Sequence, residues 1–138
     1  MSRINLGRVV LGGLLAGLVV NLGEFLLHEQ VIKERETAAM AALGKTGPMG
    51  ALWVWIVFGF VFGIALVWLY AAIRPRFGPG AKTAAIAGVI AWFFGGLMGA
   101  VAMANMGLFP NDVLMITTIW GLVQSILAAI LGAWVYQE

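Results

Sequence analysis

The chain has 138 residues, of which 62% are hydrophobic and only 10% charged, with a mean hydropathy of +1.00. A soluble domain carries about a quarter charged residues, so this composition excludes one and defines an integral membrane protein. The net charge of +2 comes from a few residues near helix ends, which argues against nucleic-acid binding, and the lack of cysteine excludes disulfides and thiolate chemistry.

Four charge-free runs, 9–23, 46–73, 83–111 and 113–137, organise the chain. A helix needs roughly 20 residues to cross the hydrocarbon core. The last three runs meet that length. The first does so only if it recruits Glu24 through Leu27 or lets Arg8 snorkel. A cleavable signal peptide is the rival reading of this segment. No small-x-small cleavage site follows it before the acidic residues, and Asn21 and Glu24 suit a bundle interior, so a retained helix over 6–27 is expected.

Residues 28–50 then form an extracytoplasmic segment. Its helix-compatible part carries Lys33-Glu34-Arg35-Glu36, read as a solvated run with local ion pairs, and Gly44 is a stop signal. The second helix is expected over 51–73. Arg74-Pro75-Arg76-Phe77-Gly78-Pro79-Gly80 predicts a tight turn, followed by a third helix over 83–106. A short turn with Pro110 leads to the fourth, over 113–136, with Asn111 or Asp112 as its cap. The expectation is an all-α, integral membrane four-helix bundle forming a single domain over 1–138.

Basic residues orient it. Arg3, Arg8, Arg74, Arg76 and Lys82 flank one side almost without acids, the terminal Glu138 excepted, whereas Lys33, Arg35 and Lys45 are mixed with Glu29, Glu34, Glu36 and Asp112. The bias predicts both termini in the cytoplasm. Trp53 and Trp55 mark the outer interface; Trp68, Tyr70, Trp134 and Tyr136 mark the inner one. The repeated Trp-x-Tyr, with Phe58-Gly59 echoing Trp120-Gly121, hints at a duplicated helix pair.

Small residues recur four apart in every helix: Gly13/Gly17, Gly59/Gly63, Gly95/Gly99 and Ala128/Gly132. Such GxxxG-type pairs let backbones approach closely where no hydrophobic effect draws helices together. Small faces left over are suited to a second copy of the chain or to other membrane subunits.

Membrane-depth polarity is scarce. Gly13, Gly17, Asn21, Glu24 and His28 share one face of the first helix. Antiparallel threading brings Asn105, Asn111, Asp112, Thr117 and Thr118 to the same end, where they can converge on Glu24; Gln124 stands apart. A carboxylate at membrane depth costs around 3 kcal/mol on insertion scales. Glu24 is therefore expected to be protonated or bonded to His28, Asn105 or a threonine.

Three readings follow. The cluster locks helix register, or Glu24 exchanges protons or holds a cation with His28 near the outer mouth, or His28 ligates a haem, a chlorin or, with methionines such as Met103 and Met106, copper. No catalytic site and no zinc-protease motif is present: Ser2 and Ser125 are the only serines, His28 is the only histidine, and His28-Glu29 lacks the second histidine.

At the segment Leu69-Tyr70-Ala71-Ala72-Ile73 with its Arg74–Gly80 continuation, and at Asn21-x-x-Glu24, the chain resembles small uncharacterised four-helix membrane proteins of bacteria. That resemblance covers most of the length and implies no ligand or activity. Size and a first-helix glutamate are also similar to small multidrug exporters. Those carry their acid near mid-helix, whereas Glu24 lies close to one end, so their function is not carried over. The function expected is that of an accessory or assembly subunit; the alternative is a small oligomeric proton- or cation-linked transporter.

Overall fold

The structure, a computed structural model, describes residues 3–137; Ser2 and Glu138, named above, lie outside them. Among the described residues all regular structure is helical: α1 (Leu6–Val31), α2 (Lys33–Ala42), α3 (Leu52–Phe77), α4 (Ala81–Met106) and α5 (Asn111–Val135). All but α2 are long and apolar enough to cross a membrane, at 26, 26, 26 and 25 residues. This is the pattern of a multi-pass membrane protein.

Local chemistry sets the ends. Asn5 caps α1, its Oδ1 accepting from the Arg8 amide at 3.1 Å. Gly80 opens α4 at φ +119°, a conformation that L side chains rarely adopt. The cap of α5 is Pro110, not Asn111 or Asp112; both fall inside the first turn, where the Asp112 carboxylate faces the positive end of the helix dipole. The turn expected at 74–80 is shorter than its sequence suggests, because α3 runs through Pro75 to Phe77. Proline cannot donate to the carbonyl four residues back, but this close to the end the loss is confined to one turn. The helix is closed by the Gly78 amide on Arg74 O at 2.8 Å, and Thr83 Oγ1 ties α4 to the same corner by donating to Gly78 O at 2.7 Å.

Glycine decides how the long helices meet. A Cβ on Gly63 would collide with the Gly17 amide nitrogen, and one on Gly13 would lie 2.5 Å from Ile64 Cα, so α1 and α3 touch backbone to backbone. On the other side of α1, a Cβ on Gly12 would strike the Gly132 carbonyl of α5. Gly88 does the same for α4 against α5, 2.7 Å from Ser125 O. Ala16, Leu66, Val67, Ala84, Ala87 and Ala128 have no exposed surface in the core so formed. Where side chains are this small, dispersion between close backbones supplies much of the association.

The Gly95/Gly99 pair behaves differently. Gly95 faces only the Phe62 ring, at 3.6 Å, and a Cβ on Gly99 would meet nothing within 4 Å. Residues 101–108 are exposed on every side. Gly95 lies inside a π turn, Phe93–Leu97, closed by the Met98 amide on Phe93 O, and Gly99 lies beyond it. One extra residue in a turn rotates everything beyond it by about 100°, so Gly99 no longer continues the face that Gly95 begins.

At the end of the bundle that carries the chain termini, the tyrosines of the two Trp-x-Tyr segments are buried and their tryptophans, Trp68 and Trp134, exposed. Tyr136 OH accepts the amide of Asn5, the cap of α1, at 3.2 Å. Tyr70 OH accepts the amide of Gly80, the cap of α4, at 3.1 Å. The rings meet edge to face at 6.0 Å, with the Arg74 guanidinium 5.7 Å from the Tyr136 ring centre. The correspondence continues along the helices. Val9, Gly12 and Gly13 stand from Asn5 as Ala84, Ala87 and Gly88 stand from Gly80, and all six are buried. Gly59, Gly63, Leu66 and Val67 precede Tyr70 by the intervals at which Ser125, Ala129, Gly132 and Ala133 precede Tyr136, and these eight are buried too. The α1–α3 and α4–α5 hairpins thus use matching positions for their packing.

Candidate intramembrane polar site

Toward the other end, the matching positions carry different chemistry. On α1, Asn21, Glu24 and His28 follow one another along the face their spacing predicts. Asn21 Nδ2 donates to the Ile56 carbonyl of α3 at 3.2 Å, and Gly59 has no side chain to obstruct it.

Glu24 divides its oxygens between two partners. Oε1 accepts from Gln124 Nε2 of α5 at 2.8 Å, and Oε2 lies 3.0 Å from His28 Nε2. Gln124 is near the middle of α5, only 8% exposed, and its own oxygen accepts from Trp120 Nε1 at 3.1 Å. That indole also reaches Gly23 O at 3.1 Å. A Cβ on Gly23 would fall onto Gln124 Oε1, so glycine beside Glu24 is what lets the α5 amide approach.

His28 sits in a π turn, Leu27–Val31, that ends α1 with the Ile32 amide on Leu27 O at 3.0 Å. Ile32 leaves helical geometry at φ −116° and starts α2 in a new direction. This places Glu36 against the imidazole, Oε2 to Nδ1 2.8 Å. The Glu36 side chain is 14% exposed, against 37% for His28 and 45% for Glu24, so the outer of the two carboxylates is the best covered of the three groups. Beneath them Leu27, Ile32 and Val113 form a buried apolar patch with Trp120 against it. Arg35 also pairs with Asp112 across α2 and α5, at 3.4 Å, and Lys33 with Glu29 at 3.0 Å; all four groups are well exposed and such pairs contribute little.

A continuous chain, Glu36–His28–Glu24–Gln124–Trp120, therefore runs from α2 to the middle of α5. Both imidazole nitrogens face carboxylate oxygens. Both contacts are hydrogen bonds only if the ring carries two protons or a carboxyl carries one.

Of the residues expected to converge, Glu24 and His28 do, with Asn21 one turn below. Asn105 does not: it is exposed on the splayed half of α4. Asp112 is drawn to Arg35. Thr117 and Thr118 turn back onto their own helix, Oγ1 donating to Leu114 O at 3.0 and 2.6 Å. The partners missed in the sequence are Gln124, Trp120 and Glu36. Trp120 and Gln124, four apart, share one face of α5, and Gly23 adjoins Glu24; those were the available signals.

The donor set does not suit a haem or chlorin, because neither His28 nitrogen is free of a carboxylate. Met103 and Met106, the methionines considered for copper, are exposed on α4. Among the described residues no group of three His, Cys, Asp or Glu side chains is arranged to hold a metal ion. Comparison with known protein families, with curated proteins and with solved structures finds no match for this chain.

Proposed function

We propose that the protein is an accessory or assembly subunit of a bacterial inner membrane, both termini cytoplasmic, working through contacts between its helices and those of a second copy or another subunit. The observation that carries this reading is the contrast between the two halves of the bundle away from the termini. The α1–α5 side is tied by the Glu24 chain; on the other side α4 from Val101 onward touches little of its own bundle, with Gly99 open and Asn105 exposed. Small residues and an asparagine on an otherwise apolar helix are what helix partners in lipid use. Concentration of Arg8, Arg74, Arg76 and Lys82 at the terminal end supports the orientation.

Gly99→Leu tests it. Nothing within 4 Å opposes the new side chain, so the monomer should fold and melt as before. Native mass spectrometry after mild detergent extraction should show wild type with a partner chain and Gly99→Leu without it. A wild-type protein that travels alone, or a variant that keeps its partner, contradicts the proposal.

A second reading, a proton- or cation-linked transporter, draws support from the unbroken chain of polar groups between α2 and mid-α5. It predicts that Glu24→Gln abolishes pH-driven flux in liposomes, and equal or absent flux in both forms removes it. Close packing beneath Gln124, where Ala16, Leu66 and Ala128 are fully buried, favours the first reading.

A further inference from the structure

The imidazole of His28 joins two elements that the backbone links by little more than Ile32. We propose that α2 is a charge-gated strap: Glu36 holds it against the bundle while His28 carries both ring protons, and the helix swings outward about Ile32 when the ring loses one.

The argument is one of hydrogen-bond supply. With both protons, the ring donates from Nε2 to Glu24 and from Nδ1 to Glu36. With one, a ring nitrogen presents its lone pair to a carboxylate oxygen about 3 Å away, a repulsive contact, so one joint must open. Glu24 is the less able to withdraw. It lies on the same helix, four residues back, and its other oxygen is held by Gln124, itself fixed by Trp120. Glu36 has no such second hold. The cations of its own helix are engaged elsewhere, Lys33 with Glu29 and Arg35 with Asp112. Facing groups on α5 are Gln124 and Asp112; the part of α3 toward this end, residues 52–69, and the distal part of α4 carry no titratable side chain, and Tyr70, Arg74 and Arg76 of α3 lie at the opposite end. The remaining proton therefore stays on Nε2, and a largely covered carboxylate is left opposite a lone pair. Moving out to water relieves it, and the non-helical Ile32 is the joint that permits the swing.

The chain has no native cysteine, so Ala41→Cys with Leu52→Cys, both exposed, gives a labelled pair reporting on α2 against α3 in the full protein. Spin-label distances are measured in nanodiscs between about pH 5 and about pH 10, a window that brackets imidazole titration while keeping carboxylates and guanidinium groups charged. The expected result is one population at the acidic end and a majority displaced population at the alkaline end. Glu36→Gln should abolish the transition and leave α2 docked throughout, since an amide accepts from the charged ring and donates to the neutral one. A wild-type distance unchanged across the window, or a transition that persists undiminished in Glu36→Gln, overturns the proposal.

Discussion

Gly63→Leu should destabilise the bundle by about 3 kcal/mol or more, the upper range for overpacking a core that cannot yield. The Cβ alone would collide with the Gly17 amide, and the next neighbours are the Gly13 carbonyl and Gly17 Cα, none of which is a movable side-chain tip. Relief requires α1 and α3 to separate, and separation strips contacts from Leu66 and Val67 below. Denaturant titration in mixed micelles, followed by circular dichroism, reads the effect. Gly99→Leu is the internal control, with an expected change within about 0.5 kcal/mol, as for a substitution that touches nothing. Similar losses for the two variants would show that the α1–α3 seam does not set the cost, since leucine is the better helix former at both positions.

Gln124→Leu should cost about 1.5 kcal/mol, the lower end of the range for a lost hydrogen bond to a charged group, because the Glu24 side chain is 45% exposed. Leucine nearly matches the volume, so the loss is one of chemistry: Glu24 Oε1 keeps no side-chain donor, and the Trp120 indole retains only Gly23 O. The coupling is measurable. If Glu24 and Gln124 act as one unit, Glu24→Gln should cost less in the Gln124→Leu background than alone, and the double variant should be more stable than the sum of single losses implies. Strict additivity would mean that the 2.8 Å contact contributes nothing of its own.

The long helices could be read from the chain because membrane depth permits few alternatives: charge-free runs of sufficient length must be helical. The face bearing Asn21, Glu24 and His28 was legible for a related reason, since the 100° step holds across α1 as far as its last turn. What failed was any inference across a change of phase. The π turn at Phe93–Leu97 carries Gly99 away from the seam that Gly95 touches, and no residue type announces such a turn. Glu36 belonged to a charged run of the kind that usually faces water. Its placement depends on the direction the chain takes at Ile32, which is a tertiary matter. Gln124 lies mid-helix, whereas the other polar residues cluster at helix ends. It reaches Glu24 because Gly23 leaves a gap that only a pairwise fit reveals. Asn105 shows the converse: helix ends on one side of the bundle need not meet, and it stays exposed.

The reciprocal tyrosine bonds have a mechanical corollary. Each hairpin is fastened to the first residue of the other, and both fastenings, Tyr136 to Asn5 and Tyr70 to Gly80, lie at one end of the molecule. With α1 also held to α5 through Glu24 and Gln124, the freedom left between the halves is a parting of α3 from α4 that pivots on that end. Lever arms of some 39 Å, the rise of a 26-residue helix at about 1.5 Å per residue, turn a small angular change at the pivot into several ångströms at the tips of α3 and α4.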